Sequence, residues 1–143
     1  MSRRYITVTE ESQIIERANR LCEYCQCSMD YSTQPFVIDH IVPISEGGQT
    51  NLENLAFCCG GCNGHKYTKV QALDPVSREL VSLYNPRTQK WLDNFVWSDD
   101  FLQVVGLTAI GRATISALQM NRSGVVNMRK LLLMAGLHPP HQE

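Results

Sequence analysis

Apolar residues recur along this chain of 143 residues in short patches, and the spacing within each patch predicts its local structure. Near the N-terminus the spacing is helical, and we predict a helix over residues 9–21 with Thr9 as its N-cap. Residues 35–43 are rich in β-branched and aromatic side chains, which predicts a strand. Residues 51–57 predict a returning strand or loop, and the chain from Cys62 to Val70 predicts a helix.

The second half of the chain predicts a short strand around residues 81–84 and two helices. The first helix covers residues 108–121, capped by Thr108, and the second covers residues 125–134 and ends before Gly136. We expect the aromatic residues between this strand and the helices to pack in the core rather than to stack on nucleic-acid bases. They are Trp91, Phe95, Trp97 and Phe101. We interpret His138 and His141 as residues of a C-terminal tail.

Cysteine spacing adds a metal site to this pattern. Cys22 and Cys25 form one C-x-x-C pair, and Cys59 and Cys62 form another. Two thiolates separated by two residues can reach one tetrahedral ion from a tight turn, so the two pairs predict a structural Zn²⁺ site. No apolar leader is visible at the N-terminus, and we therefore expect a reducing, cytoplasmic location that favours metal over disulfides.

Two further cysteines leave partly open which four cysteines bind the zinc. Cys58 is adjacent to Cys59, but only Cys59 has the x-x spacing from Cys62. We interpret Cys27 and Cys58 as buried thiols, with Cys27 as an alternative to Cys25 in the zinc site. The 33 residues between Cys25 and Cys59 exceed the usual zinc-ribbon spacing, so this insert must have a structure of its own.

The motifs in and around this insert resemble those of HNH endonucleases, a family of bacteria and phages. The likeness covers residues 20–70 and rests on Asp39-His40-Ile41-x-Pro43, Gly47-Gly48, Asn51-Leu52-x-Asn54-Leu55 and Cys62-Asn63-x-His65-Lys66. It implies an α+β fold with a ββα-metal (His-Me finger) core, stapled by the four-cysteine zinc site. Residues 1–143 would then form a single domain, with an N-terminal helix before the core and residues 71–143 as an appended β and helical extension.

The resemblance also implies roles for individual residues. His40 matches the histidine that activates water, and Asp39 matches the metal-binding carboxylate beside it. Asn54 matches the middle asparagine, which holds the loop between the two strands in shape.

Asn63 and His65 both match the helix position that completes the catalytic site and ligates its metal. Residues two apart on a helix point about 200° apart, so the two cannot easily share one ion. Asn63 lies three residues from Lys66 and shares its face, which would place a cation beside the metal and a phosphate. This favours Asn63, and His65 remains the alternative ligand.

These residue types suit the hydrolysis of a phosphodiester bond. Histidine can act as a general base near neutral pH, and carboxylate and amide oxygens suit Mg²⁺ or Mn²⁺ as the catalytic ion. Ligation by His65 would instead favour Zn²⁺ or Ni²⁺. We therefore predict a metal-dependent endonuclease that cuts DNA, with His40 activating water. The alternative is a non-catalytic zinc-binding module that docks nucleic acid or protein.

Charge limits the predicted affinity for nucleic acid. The formal net charge is −1, and residues 1–66 carry five basic and eight acidic groups. Because affinity comes largely from phosphate neutralisation, we expect weak binding through a local patch, and a protein partner could supply specificity. The candidate patch residues are Lys66, Lys69, Arg112, Arg122, Arg129 and Lys130. The chain has no apolar run of about 20 residues, so we expect no membrane association.

Overall fold

The structure is a computed structural model and describes residues 4–141. Residues 1–3, on which the expectation about a leader partly rests, lie outside this range. The first half comprises α1 (Val8–Arg17), β1 (Val37–His40), β2 (Leu55–Cys58) and α2 (Gly60–Lys66). The second half comprises β3 (Gln71–Leu73), β4 (Leu80–Ser82), α3 (Trp91–Asn94), β5 (Phe95–Trp97), β6 (Val104–Gly106), α4 (Ala109–Leu118) and α5 (Ser123–Met134). The predicted α+β class is confirmed. The boundary near residue 70, between the predicted nuclease core and the appended extension, stays a prediction.

Helix α1 begins earlier and ends earlier than the sequence predicts. Thr7 is the N-cap: its hydroxyl accepts a hydrogen bond from the Glu10 amide, and the Glu10 carboxylate accepts one from the Thr7 amide. This reciprocal capping box fixes the start of the helix, so Thr9, the predicted cap, lies within it. The helix ends at Arg17, and Leu21 lies beyond it in an isolated β-bridge.

Strands β1 and β2 pair antiparallel, and α2 follows directly. Asp39 pairs with Ala56 and His40 with Leu55, at the end of the sheet. Both strands are shorter than predicted, because the chain turns after His40 and makes a 3₁₀ turn immediately before β2. Helix α2 also starts before the predicted Cys62, since Cys59 caps it. It ends at Lys66, short of residue 70.

The second half contains more strands than the sequence suggests. Three antiparallel pairs make up the sheets of the described chain: β1 with β2, β3 with β4, and β5 with β6. Strands β3, β5 and β6 have three residues each, too few to show a period of two. The Thr108 cap of α4 is confirmed, because its hydroxyl accepts a hydrogen bond from the Gly111 amide at 3.0 Å.

One hydrophobic core spans both halves of the chain. Trp91 and Phe95 are buried in it as predicted, and the Trp91 indole donates a hydrogen bond to the Tyr24 carbonyl at 2.8 Å. Phe101 is instead 41% exposed. His138 is buried rather than part of a free tail: its Nε2 lies 2.7 Å from the Phe101 carbonyl oxygen. Between residues 4 and 141, no helix combines the length and apolar character needed to cross a membrane.

Candidate active site and metal centre

Four buried cysteines converge at the junction of the two halves. The sulfurs of Cys22, Cys25, Cys59 and Cys62 all lie within 4.8 Å of one another. A tetrahedral zinc site with Zn–S bonds of about 2.3 Å places its sulfurs about 3.8 Å apart. The Cys25 and Cys59 sulfurs are 3.7 Å apart, so the donor set fits Zn²⁺ in both chemistry and spacing.

Each C-x-x-C pair is shaped by a backbone hydrogen bond to its own first sulfur. The Cys25 amide donates to the Cys22 sulfur, and the Cys62 amide donates to the Cys59 sulfur, both at 3.4 Å. Such bonds favour the thiolate form that a metal requires. Cys27 and Cys58 lie outside the group of four. Burial raises the pKa of the Cys58 thiol, which keeps it neutral.

Arg122, just before α5, faces this cluster, a contact that no motif in the sequence predicts. Its guanidinium lies 3.2 Å from the Cys59 sulfur and 3.6 Å from the Cys62 sulfur. Burial lowers the pKa of Arg122, but the charge and hydrogen bond of Cys62, together with the charges of Cys25 and Cys59, outweigh that effect, and the net shift of the pKa is upward. Gly61 leaves room for this contact, because a Cβ there would lie 2.4 Å from the Arg122 side chain. Arg122 therefore offsets part of the negative charge of four thiolates.

Arg129 of α5 also points inward. It is 3% exposed, and its guanidinium donates hydrogen bonds to the carbonyls of Met120 at 2.8 Å and Cys25 at 3.3 Å. Arg112 of α4 makes two hydrogen bonds to the Asp74 carboxylate, at 2.9 and 3.0 Å. The predicted basic surface patch is therefore wrong for Arg129, which is buried. Arg112 and Arg122 are partly exposed but make long-range contacts within the protein, and a role for them in the patch stays a prediction.

Asp39 and His40 lie together at the end of β1 and line one cleft of about 330 Å³, here called the Asp39 cleft. The chain after β1 supplies one wall, and the residues after α2 supply another. The other lining residues are Pro43, Ile44, Ser45, Tyr67 and Thr68.

The His40 ring is oriented by a hydroxyl that the sequence reasoning missed. Its Nε2 lies 2.8 Å from the Thr50 Oγ1, and both residues are 8% exposed. Thr50 follows Gly47-Gly48 in the loop between β1 and β2, where threonine gives no motif signal of its own. Burial and a short contact together restrict the rotation of the imidazole.

Asn54 ties that loop to the end of β1. Its amide oxygen accepts a hydrogen bond from the Val42 amide at 2.9 Å, and its nitrogen donates to the carbonyls of Val42 at 3.0 Å and Gln49 at 2.8 Å. Gly48 passes so close to Val42 that a Cβ would lie 1.7 Å from the Val42 carbonyl oxygen. Asn54 and Gly48 thus hold the loop that carries Thr50.

Lys66 of α2 reaches into the core of the site rather than out to solvent. It is 1% exposed, and its Nζ lies 2.8 Å from the Asp39 Oδ2 and donates to the His40 carbonyl at 3.2 Å. This position is at odds with the surface contact to nucleic acid predicted for Lys66. Lys69 is exposed, and its ammonium bonds to the His65 carbonyl at 2.8 Å.

Asn63 and His65, the two candidates for the helix position that ligates the catalytic metal, occupy different environments on α2. Asn63 is half-buried and His65 is exposed, and neither lines the Asp39 cleft. Within residues 4–141, the four cysteines are the only group of three or more His, Cys, Asp or Glu side chains placed to share a metal. A cation at Asp39 would therefore depend on few protein ligands, and the choice between Asn63 and His65 stays a prediction.

Comparison with known proteins supports the likeness seen in the motifs. Residues 22–69 match the family profile of the HNH endonucleases, which confirms the resemblance for this segment. The chain is 24% identical over 111 residues to the Septu protein PtuB of Bacillus thuringiensis, covering 76% of this chain and 40% of that protein. It is 34% identical over 99 residues to the CRISPR-associated endonuclease Cas9 of Corynebacterium diphtheriae, covering 62% of this chain and 9% of Cas9.

The chain thus spans less than half the length of either relative. No solved structure matches it.

Proposed function

We propose that this protein is a metal-dependent endonuclease that hydrolyses phosphodiester bonds in DNA. The observation that carries the proposal is the pairing of Asp39 and His40 in one cleft, within a segment that matches HNH endonucleases. Similarity to a protein named as an endonuclease, Cas9 of Corynebacterium diphtheriae, supports the same reaction class. The order β1, β2, α2 around this cleft is that of a ββα-metal core, which we propose for residues 20–70.

In the proposed mechanism His40 removes a proton from the attacking water. If Nδ1 accepts that proton, Nε2 must carry the ring hydrogen, and Thr50 Oγ1 at 2.8 Å is placed to accept a hydrogen bond from it. The hydroxyl then holds the ring in one tautomer and one orientation, as the partner of a general base should. Asn54 acts one step further away, because it fixes the loop that carries Thr50.

Asp39 is the residue that would hold the catalytic cation, with Asn63 as the proposed second ligand and His65 as the alternative. A bound Mg²⁺ or Mn²⁺ would stabilise the negative charge that develops on the phosphate and the leaving oxygen. Carboxylate and amide oxygens match the preference of these hard cations. Lys66 already places a positive charge 2.8 Å from Asp39, so we expect the ion to be held weakly.

The four-cysteine cluster has a separate, structural role in this proposal. All four thiolates face one another in the core, which leaves no open coordination position for a substrate. Zinc there would join the loop before β1 to the start of α2, and so fix the two elements that carry Asp39 and Lys66.

A cleavage assay tests the proposed function. Plasmid and single-stranded DNA are incubated with the protein in Mg²⁺, Mn²⁺ or EDTA, and products are followed on gels. We expect cutting that needs a divalent ion and that falls about 10²- to 10⁴-fold in His40→Ala. His141→Ala, at an exposed histidine outside the cleft, is the matched control and should cut like the parent. Equal rates for His40→Ala and the parent would remove His40 from the mechanism.

A further inference from the structure

A second and larger cleft lies between the HNH-like segment and the rest of the chain. It has a volume of about 410 Å³, and the β3–β4 hairpin forms part of its wall, so we call it the hairpin cleft. Ile41, Leu83 and Ile110 give it apolar surface, while Gln71, Ser82 and Thr88 contribute polar side chains. A cavity of this size is in the range of small-ligand sites, which begins at about 300 Å³.

The hairpin cleft adjoins the Asp39 cleft through an ion pair. Lys66 lines the hairpin cleft, and its ammonium lies 2.8 Å from Asp39, which lines the Asp39 cleft. Ile41 lines the hairpin cleft and follows His40 directly in the chain. A strand whose scissile phosphate lay beside Asp39 and His40 would therefore place a neighbouring nucleotide at the hairpin cleft.

The charge of the hairpin cleft differs from that of the whole chain. The full sequence has 14 acidic residues and 13 Lys and Arg residues. Among the described residues that line this cleft there are two lysines, Lys66 and Lys69, and no Asp or Glu. Lys66 is buried and paired with Asp39, so the accessible positive charge is that of Lys69. The cleft is thus a local region where an anion avoids the carboxylates found elsewhere on the surface.

Hydrogen-bonding capacity in the cleft is weighted toward donors. The Gln89 amide oxygen accepts from the Asn85 backbone at 2.9 Å, and the Asn85 amide oxygen accepts from the Arg87 backbone at 2.8 Å. With these oxygens engaged, the two side chains retain mainly their NH₂ groups. The side chains of Gln71 and Thr88 make no hydrogen bond within residues 4–141 and are exposed. Donors beside Lys69 suit a ligand rich in acceptors, such as phosphate oxygens and base carbonyls.

We propose that the hairpin cleft binds one unpaired nucleotide of the substrate strand, adjacent to the bond that is cut. Lys69 contacts its phosphate, the amide and hydroxyl groups contact the base edge, and the apolar residues cover the ring. A base inside a duplex has its pairing edge occupied, so only a single-stranded or extruded nucleotide can enter. This inference rests on the proposed nuclease function and narrows its substrate to DNA that is unpaired beside the cut.

Binding and cleavage are measured separately, so that the two proposals can fail independently. Fluorescence anisotropy without added Mg²⁺ or Mn²⁺, where no cutting is expected and zinc is retained, compares a labelled single-stranded oligonucleotide with a duplex of the same sequence. We expect tighter binding of the single strand. Gln71→Ala with Thr88→Ala should weaken that binding about 10- to 30-fold, the scale of two hydrogen bonds. Thr9→Ala with Gln103→Ala, exposed positions outside both clefts, is the matched control and should bind like the parent.

A second variant tests occupancy of the cleft rather than its donors. Ser82→Trp places a bulky side chain at an exposed position of β4 in the cleft wall and should block binding of the single strand. Zinc content and thermal melting of each variant verify that it is folded. The proposal is overturned if the parent binds no single strand, if it prefers duplex, or if both cleft variants bind like the parent. If His40→Ala binds the single strand normally and neither the parent nor any variant cuts DNA, the nuclease function alone is contradicted.

Discussion

At the scale of single residues, the loop between β1 and β2 explains how a histidine at a strand end is oriented. Asn54 bonds to Val42 and Gln49, and these contacts hold the loop against the strand. The loop then carries Thr50 to within 2.8 Å of the His40 ring. The Asn54 side chain thereby acts on the proposed base indirectly, through the loop and Thr50, so its loss should be felt mainly as disorder at His40.

The Thr50 contact gives the sharpest residue-scale prediction. Thr50→Val removes the hydroxyl but keeps the shape, and we expect kcat to fall about 5- to 10-fold with little change in KM, the effect of one hydrogen bond. Thr50→Ser restores the hydroxyl and should recover most of the rate. The ¹⁵N chemical shifts of the His40 ring report its tautomer, and we expect them to change in Thr50→Val only. Identical shifts and rates in all three proteins would show that Thr50 does not position His40.

At the scale of elements, two arginines join helix α5 to the two C-x-x-C pairs. Arg122 lies at the N-terminus of α5 and contacts the sulfurs of Cys59 and Cys62, while Arg129 within α5 contacts the Cys25 carbonyl. The four-cysteine cluster and helix α5 therefore stabilise each other. A comparable pair, Asp74 with Arg112, joins the β3–β4 hairpin to α4.

Loss of Arg122 should make zinc more labile. Groups that hydrogen-bond to metal ligands typically change metal affinity about 10- to 100-fold, and we expect a loss in this range for Arg122→Leu. Zinc transfer to a chromophoric chelator measures it. Lys130→Leu, the same type of change at an exposed position of α5, is the matched control. Equal transfer from both variants would mean that the guanidinium does not stabilise the thiolates.

The Asp74 pair predicts a pH dependence of stability. The Arg112 guanidinium holds the pKa of the buried Asp74 carboxyl well below its usual range, with further help from Ser77. A depressed folded-state pKa stabilises the protein above the unfolded value of about 3.9 and loses that effect as pH falls. Asp74→Asn should therefore lower Tm most at neutral pH, and its difference from the parent should shrink below about pH 4. A constant difference across this pH range would contradict the assignment.

At the scale of the whole molecule, one core contains the four cysteines together with aromatic residues of the second half, among them Trp91 and Phe95. Most of the cations predicted to bind DNA instead make contacts within the protein. Lys69 and Lys130 are the members of the predicted patch that are exposed among residues 4–141. With few exposed cations we expect weak binding of duplex and a shallow dependence on salt, as the proposed action on unpaired DNA or delivery to the substrate by a partner would require.

Because the cysteines belong to the shared core, zinc removal should disrupt the whole protein. We expect about one zinc per chain, and loss of both helical and aromatic circular dichroism when a strong chelator removes it. Cys62→Ser should be insoluble or molten. Cys27→Ser, outside the group of four, should retain zinc and fold. Purified protein without zinc but with a cooperative melting transition would contradict this prediction.

Features encoded by local spacing could be predicted from the sequence. The two C-x-x-C pairs, the Thr108 cap and the α+β class depend on residues close together in the chain, where turn and helix geometry leave few alternatives. The HNH-like motif order was recognisable for the same reason. The ends of elements were predicted less accurately. The N-cap of α1 is Thr7 rather than the predicted Thr9, because neighbouring residues of the same type compete for the cap.

Only the tertiary structure decided where long polar side chains point. From the sequence alone Lys66 and Arg122 are expected to be surface cations. Lys66 instead contacts Asp39, 27 residues earlier, and Arg122 contacts two cysteines that lie 60 and 63 residues earlier. Thr50 lies beside His40 because the contacts of Asn54 hold the loop between them in place. Spacing in the chain carries no information on such contacts, because burial of a charge is decided by the partner it finds in space.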